Sequence, residues 1–481
     1  MGPEERPFRF LLLHSRTGGG HLRVARTVAD ALTARYGDRA QVTLVDVLAE
    51  YAPWPLSRAP EWYPTALWGG GRMYGWGFNL LNGRRRVWTI CHLAWPLTYP
   101  RVLRMFREHP ADIIVSFHPV PVYTISRALE WAGLSTPFIA VGTDLVVMHA
   151  AWVAPGVQRY LVATEAAREQ LLRHGVEPER IEVTGPPIGP QFQQVAAEAP
   201  AAVRRRLGLE PDQPTVLLMG GGVGFEPLEA VARAVAAATP TAQLIVIAGQ
   251  NERLRARLAA IPWPTPVRIE GFVENIHEWM RAADVLVTKA GPTTIAEALT
   301  VGVPMVLWGA IPAQETPNVH LVVQAGAGIW APGPERAAAA VARLIADPAA
   351  RRVAAGEARR LASPEAARRV ADILWEIASH PPLNSRPLGV PALLRNRLQH
   401  WIRALREVPP SWSDNPPASR LTFHVLRFTF YASRFRRPHD SRHLHRRQVR
   451  SRQDHFAGET DPRTETARLS GGDRQTRRAR L

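Results

Sequence analysis

The chain has 481 residues, 46% of them hydrophobic. At roughly 100–200 residues per domain this is ample for two or three domains with a large core. The formal net charge of +17 calls for an acidic partner: nucleic acid, anionic lipid or a phosphate-bearing substrate. A single cysteine, Cys91, excludes a disulfide framework and argues against a cysteine zinc site.

The basic excess sits at one end. After position 382 there are 21 arginines against 8 acidic residues, so the body before it is nearly balanced. Glu4, Glu5 and Arg6 lead at once into a short apolar run without a small-residue cleavage pattern, unlike a secretory signal. The uncharged run 87–100 is broken by His92 and Pro96 and falls short of the ~20 apolar residues of a spanning helix. The expectation is a cytoplasmic protein, peripheral on the inner face of the plasma membrane.

In chain order, residues 8–14 read as a strand, followed by Gly18, Gly19, Gly20 and a helix from His21 to about Tyr36. Glycines at such a turn let the backbone approach a ligand, and the helix N-terminus offers free N–H groups. His21 opens that helix, and a side chain titrating near neutrality suits a general base. A tight turn with a capping histidine is the plainer reading. Further strands are expected at 41–47, 112–117, 137–142, 159–164 and 181–184. Short apolar runs separated by helical patterns indicate a parallel sheet covered on both faces. Between the first strands, residues 51–100 hold Trp54, Trp62, Trp68, Trp76, Trp88 and Trp95, six of the 15 tryptophans, beside Arg84, Arg85 and Arg86. Trp and Arg together suit a lipid headgroup boundary; a subdomain packed on itself is the alternative. After the strand at 137–142, Asp144 is placed to orient a histidine or bind a hydroxyl. His149 and Trp152 follow, with the indole available for stacking or lipid contact.

A Gly/Pro-rich stretch from Gly185 to about Pro200 reads as a linker, and the alternation then restarts. Strands are expected at 215–219, 244–248, 267–270, 285–288 and 305–308, with a last helix near 364–379. Gly220, Gly221 and Gly222 repeat the glycine-turn design. Lys289 is the only lysine beside 58 arginines, and it stands in another glycine-containing turn, before Gly291, Thr293 and Thr294. Composition disfavours lysine here, so either a compact ammonium is required at that turn or its one occurrence is chance. Glu297 lies on the ensuing helix, where a carboxylate accepts two hydrogen bonds from a vicinal diol such as ribose. Gln314, Glu315 and Asn318 offer donors and acceptors suited to sugar hydroxyls. The expected architecture is α/β: two tandem Rossmann-like domains facing across a cleft, residues 1–186 and 187–380, then a basic, partly disordered arm, 381–481. Within the arm, Leu394, Leu398, Trp401, Ile402, Leu405 and Val408 share one helical face, as in an interfacial helix or equally in one packed on the body or on a second subunit.

Thr17-Gly18-Gly19-Gly20-His21, Thr143-Asp144 through Trp152, Gly271-Phe272-Val273, Thr288-Lys289-Ala290-Gly291-Pro292 through Glu297, and Pro312-Ala313-Gln314-Glu315 with Asn318 occur in this order. In this the chain resembles the monogalactosyldiacylglycerol synthase and processive diacylglycerol glucosyltransferase group, related to the bacterial enzyme MurG. The resemblance covers about residues 8–378. It implies the GT-B glycosyltransferase fold and inverting transfer of galactose or glucose from a UDP-sugar to diacylglycerol, with no cofactor and no essential metal. It also implies roles. His21 and Asp144 would be catalytic, and Gly18, Gly19 and Gly20, with His149 and Trp152, would shape the acceptor side. Gly221, Gly222, Thr293 and Thr294 would lie near the diphosphate, and Phe272 and Val273 would flank the uracil. Glu297 would bind ribose, and Gln314 and Glu315 the sugar. Thr293 and Ala313 stand where the family often has glycine, and Thr316-Pro317 replaces a glycine-containing turn.

Two other classes remain open at this point. A UDP-N-acetylglucosamine 2-epimerase shares the layout but needs no lipid surface. A nucleic-acid-binding protein would use the arginine-rich arm but not two glycine turns. The expected partners are a UDP-hexose, diacylglycerol or a related lipid, and an anionic membrane surface, with no specific nucleic acid.

Overall fold

The computed structural model describes residues 6–17, 19–59, 61, 71–221 and 228–380. The expectations for Gly18, Gly222, Trp62, Trp68 and the arm 381–481 lie outside the described residues.

Two six-stranded sheets carry the fold, each wholly parallel. The first contains β1 (Phe8–His14), β2 (Ala40–Asp46), β3 (Ile113–Ser116), β4 (Phe138–Val141), β5 (Arg159–Val162) and β6 (Ile181–Val183), in the order β2-β1-β3-β4-β5-β6. The second contains β7 (Thr215–Met219), β8 (Gln243–Ile247), β9 (Val267–Glu270), β10 (Val285–Lys289), β11 (Met305–Gly309) and β12 (Gly328–Trp330), in the order β12-β11-β10-β7-β8-β9. In each sheet the chain first builds outward on one side, then crosses over to the other. The crossing points lie between β1 and β3 and between β7 and β10. In doubly wound sheets a ligand crevice opens there, beyond the carboxyl ends of the strands.

The continuous apolar strands follow from burial on both faces. Along β1, Leu11 and Leu13 join one core cluster while Phe10 and Leu12 join another on the opposite face. Burying each such side chain contributes roughly 1.5–3 kcal/mol. β7 is divided likewise, Val216 and Leu218 to one side, Leu217 and Met219 to the other.

Three features differ from the sequence reading. The helix Ala366–Ser379, assigned above to the span 187–380, packs on the first domain instead. Val370, Ala371, Leu374 and Ala378 form its apolar stripe, and it covers Phe10 and Leu12. Trp375 stacks on Tyr36 at 4.0 Å, and the Tyr36 hydroxyl donates to Asp372 at 2.8 Å. The stretch expected as linker contains a helix, Pro190–Ala196, whose Phe192 and Val195 enter the second-domain core. The chain crosses between domains beside it, where a Cβ on Gly185 (φ +86°) would lie 2.3 Å from Ser363 Cβ, so only glycine fits. The third is β12, which was not expected: it is three residues long and opens on Gly328, where a Cβ would lie 2.6 Å from the Met305 carbonyl oxygen.

The tryptophan-rich insert is helical over Arg72–Leu81, Arg84–Leu93 and Trp95–Glu108. Met73 (87% exposed), Trp76 (70%), Leu93 and Leu97 face solvent, whereas Trp95 is buried against Tyr99, Trp131 and the Arg127 guanidinium. The insert therefore buries Trp95 in a packed interior while leaving Trp76 and several aliphatic side chains open to solvent. Among the described residues no helix is long and apolar enough to cross a membrane.

Candidate active site

On the first-domain side, β1 ends at His14, Gly19 turns the chain with φ +77°, and the helix Gly20–Tyr36 begins without a side-chain cap. His21 is half-buried beneath the ends of β3 and β4. Its Nδ1 lies 2.8 Å from the Phe117 carbonyl oxygen and 2.8 Å from the Thr143 hydroxyl. A carbonyl only accepts, so Nδ1 carries the proton and Nε2 keeps its lone pair. Burial lowers the His21 pKa to about 4, so the ring is neutral at pH 7. Two further histidines surround it, neither singled out from the sequence. His118 meets the His21 ring at 4.5 Å and bonds the Thr17 hydroxyl at 3.0 Å, and burial holds it well below the ordinary histidine range. His14 is lowered by burial too. The signal for both was position: His14 closes β1 and His118 lies two residues beyond β3, the two strands that flank the crossing point of the first sheet.

Asp144 does not orient a histidine. Its Oδ2 accepts from Trp152 Nε1 and its Oδ1 from Gln314 Nε2, both at 3.3 Å. Burial pushes its carboxyl up to about 6; the two hydrogen bonds oppose that shift and nearby Glu315 adds to it. Trp152 is fully buried, which removes it from sugar stacking and from lipid contact; it positions Asp144 instead. His149, expected on the acceptor side, has both ring nitrogens engaged. Nδ1 accepts from Ala151 N at 3.0 Å and Nε2 donates to the Phe78 carbonyl at 3.2 Å, tying the helix Arg72–Leu81 to this loop. Burial lowers its pKa to about 4.

These shifts set a stability profile. His21 and His149 bind protons more readily in the unfolded chain, so their stabilising contribution is complete above about pH 6.5 and is lost as pH falls towards about 4. At ~1.4 kcal/mol per pKa unit each is on the order of 3 kcal/mol. Asp144 acts in the opposite sense, favouring the fold at low pH and losing that contribution as pH rises through about 6. The four lowered histidines of the site, His14, His21, His118 and His149, outweigh the two raised carboxyls, Asp144 and Glu297. Thermal unfolding at pH 4.5 should therefore occur well below that at pH 7.5, and His149→Gln should narrow the difference. Equal midpoints at the two pH values would contradict this.

On the second-domain side, Gly221 (φ +85°) follows β7 and Lys289 ends β10, where the pairing with β11 shifts register. A Cβ on Gly291 would lie 3.2 Å from Lys289 Nζ, so that glycine makes room for the ammonium, while Gly221, whose Cβ would stand at ordinary contact distance from Lys289 Cε, is called for by its left-handed φ. Lys289 pairs with Glu315, which is only 3% exposed and also accepts from Ile311 N at 2.9 Å. Both Glu315 oxygens are thus committed to the protein, contrary to the expected direct hold on the sugar. Asn318 is buried as well; it donates to the Ala290 carbonyl at 3.0 Å and leaves Oδ1 without a partner. Gln314 is better placed, on a turn where Ala313 has φ +68°, a left-handed conformation that costs a side chain about 1–2 kcal/mol. Phe272 is 53% exposed at the end of β9, while Val273 packs partly against the core. Glu297 is buried: Oε1 accepts from Arg23 Nη1 at 2.6 Å and Oε2 has no partner. Burial raises its pKa.

The two sides meet. A Cβ on Gly20 would lie 3.0 Å from the Thr293 hydroxyl, so the N-termini of the helices Gly20–Tyr36 and Pro292–Val301 oppose each other, neither with a side-chain cap. Thr294 lies on the first turn of the latter, half-buried. Two opposed helix N-termini with Lys289 nearby make a place for an anion. Arg23–Glu297, Asp144–Gln314 and Tyr74–Gln314 complete the contact across the cleft. Sequence reasoning missed Arg23 and Tyr74, which carry no motif. Among the described residues no group of three or more His, Cys, Asp or Glu side chains is arranged to hold a metal ion.

Comparison with known proteins agrees with this geometry. The sequence pattern of the family described as "Monogalactosyldiacylglycerol (MGDG) synthase" matches residues 21–188, and that of "Glycosyltransferase family 28 C-terminal domain" matches residues 215–348. The chain is 39% identical over 347 residues to "Probable monogalactosyldiacylglycerol synthase 2, chloroplastic" of Oryza sativa subsp. japonica, covering 69% of this chain and 72% of that one. Its fold is similar to the crystal structure of Acinetobacter baumannii MurG, with TM-score 0.51 and 17% identity over 77% of this chain and all of that one. It is equally similar to UDP-GlcNAc 2-epimerase from Neisseria meningitidis bound to UDP-GlcNAc, with TM-score 0.52 and 12% identity over 77% of this chain and 100% of the other. Such low identities establish the fold and do not separate transferase from epimerase; the 39% relative does. With its two parallel sheets, its opposed helix N-termini and this kinship, the chain is a GT-B glycosyltransferase and belongs to the monogalactosyldiacylglycerol synthase family.

Proposed function

We propose that the enzyme transfers galactose from UDP-galactose to the free hydroxyl of diacylglycerol, with inversion, at a membrane surface. The observation that carries this reading is the approach of Gly20 to Thr293, which brings the N-terminus of the helix that carries His21 against the N-terminus of the helix Pro292–Val301. In this reading the acceptor hydroxyl gives its proton to His21 Nε2 as its oxygen attacks the anomeric carbon. The bond to UDP breaks on the opposite face, and the diphosphate leaves with the electron pair. First-turn N–H groups at Thr293 and Thr294, together with Lys289, take up that charge with no cofactor required. The unpartnered Glu297 Oε2 suits a ribose hydroxyl, and the exposed Phe272 ring suits the uracil face. The choice of galactose is supported by the name of the rice relative.

Attachment to the membrane is supported by the exposed apolar side chains Met73, Trp76, Leu93 and Leu97, carried by an insert that also holds Arg84, Arg85 and Arg86. The deciding experiment supplies UDP-galactose or UDP-glucose with diacylglycerol in anionic liposomes, in zwitterionic liposomes and in detergent. A monogalactosyl lipid, formed fastest on anionic liposomes and less at high salt, is expected. UDP binding without any glycolipid would reject this acceptor. Equal rates in all three media would reject the surface.

A further inference from the structure

The helix Arg72–Leu81 has two faces. Met73, Trp76 and Leu80 are exposed on one. Tyr74, Gly75 and Phe78 lie on the other, against the second domain and the His149 loop. The Tyr74 hydroxyl donates to Gln314 Oε1 at 2.9 Å, across 240 residues of sequence. A Cβ on Gly75 would lie 2.8 Å from Pro312 Cβ and 2.9 Å from the Pro312 carbonyl oxygen, backbone that cannot yield. Glycine at 75 therefore lets this helix rest directly on the turn that presents Gln314, next to the left-handed Ala313.

The network also fixes the orientation of an amide. The Asp144 carboxylate only accepts, so the Gln314 amide aims Nε2 at Oδ1, to which it donates at 3.3 Å, and turns Oε1 to the Tyr74 hydroxyl, which donates. Without that hydroxyl Oε1 loses its donor, and the amide keeps only one of these two anchors. We propose that Tyr74 is a positioning residue of the donor-sugar pocket, and that the pocket is complete only while the helix Arg72–Leu81 is docked on the turn Pro312–Gln314. The element with the most exposed apolar residues of the insert is thus also a wall of the sugar site. The proposal rests on the galactosyl-transfer reading above, with Gln314 as the sugar-holding side chain that the family resemblance implies.

The test is equilibrium binding of UDP and of UDP-galactose to the full chain without lipid, for wild type, Tyr74→Phe and Gly75→Ala. In wild type the sugar changes the affinity measured with UDP alone. For Tyr74→Phe, UDP affinity should stay within about twofold of wild type while UDP-galactose binds roughly five- to tenfold more weakly, the loss of one hydrogen bond. Gly75→Ala should show the same selective loss, larger in size. An unchanged UDP-galactose affinity in Tyr74→Phe overturns the proposal, as does an equal loss for both ligands, which would mean a general structural role. If wild type binds UDP but not UDP-galactose, the functional reading itself fails, and this proposal with it.

Discussion

Replacing His21 with alanine is expected to lower kcat by about 10²–10⁴-fold, the usual contribution of a positioned general base. UDP binding should change by no more than ~twofold, because no second-domain contact passes through the imidazole. The size of the effect follows from preorganisation. The Phe117 carbonyl and the Thr143 hydroxyl hold Nδ1 from two directions, which fixes both the tautomer and the ring plane. Because the ring is held to a pKa of about 4, the acid limb of kcat/KM that belongs to it should lie near pH 4 and not at an ordinary histidine's 6.5. His21→Ala with transfer rates close to wild type would remove the base from the mechanism.

Glu315→Ala is expected to destabilise the fold by about 3–5 kcal/mol, the range for removing one partner of a buried ion pair. Two losses combine. Lys289 would be left largely enclosed between Gly221 and Gly291 without its counter-ion, and Ile311 N would lose its acceptor. Glu315→Gln keeps an acceptor for Ile311 and should cost less. The double variant Lys289→Met/Glu315→Ala should be more stable than Glu315→Ala alone, because it removes the uncompensated charge. Urea unfolding of the three variants decides the matter. A Glu315→Ala cost below ~1 kcal/mol would mean that the pair is effectively solvated.

Much of this protein is local in origin. The strands were legible because a parallel sheet covered on both faces demands unbroken apolar runs, and helical periodicity fills the gaps between them. The glycine turns were legible because close backbone approach leaves a residue-type mark at Gly19, Gly20 and Gly221. Lys289 stood out by rarity alone, and its enclosed place between two glycines gives that rarity a reason. The short strand Gly328–Trp330 escaped notice because three residues opening on glycine carry no period.

What is absent from the sequence is pairing across distance. Arg23 reaches Glu297 across 274 residues, and Tyr74 reaches Gln314 across 240. Neither residue differs locally from its exposed neighbours, so no pattern marks it. Burial is the second missing quantity. Trp152 reads as an accessible aromatic until packing encloses it, and His149 reads as a free base until both ring nitrogens are engaged. The sequence by itself determined the two α/β halves, the order of their turns and the family. Only the tertiary structure decided which side chains meet across the cleft, which are buried, and that the last helix crosses back to cover Phe10 and Leu12. The reason is physical: propensity and periodicity act over a few residues, whereas ion pairs, orphaned carboxylates and shifted pKa values arise only when distant segments exclude water together.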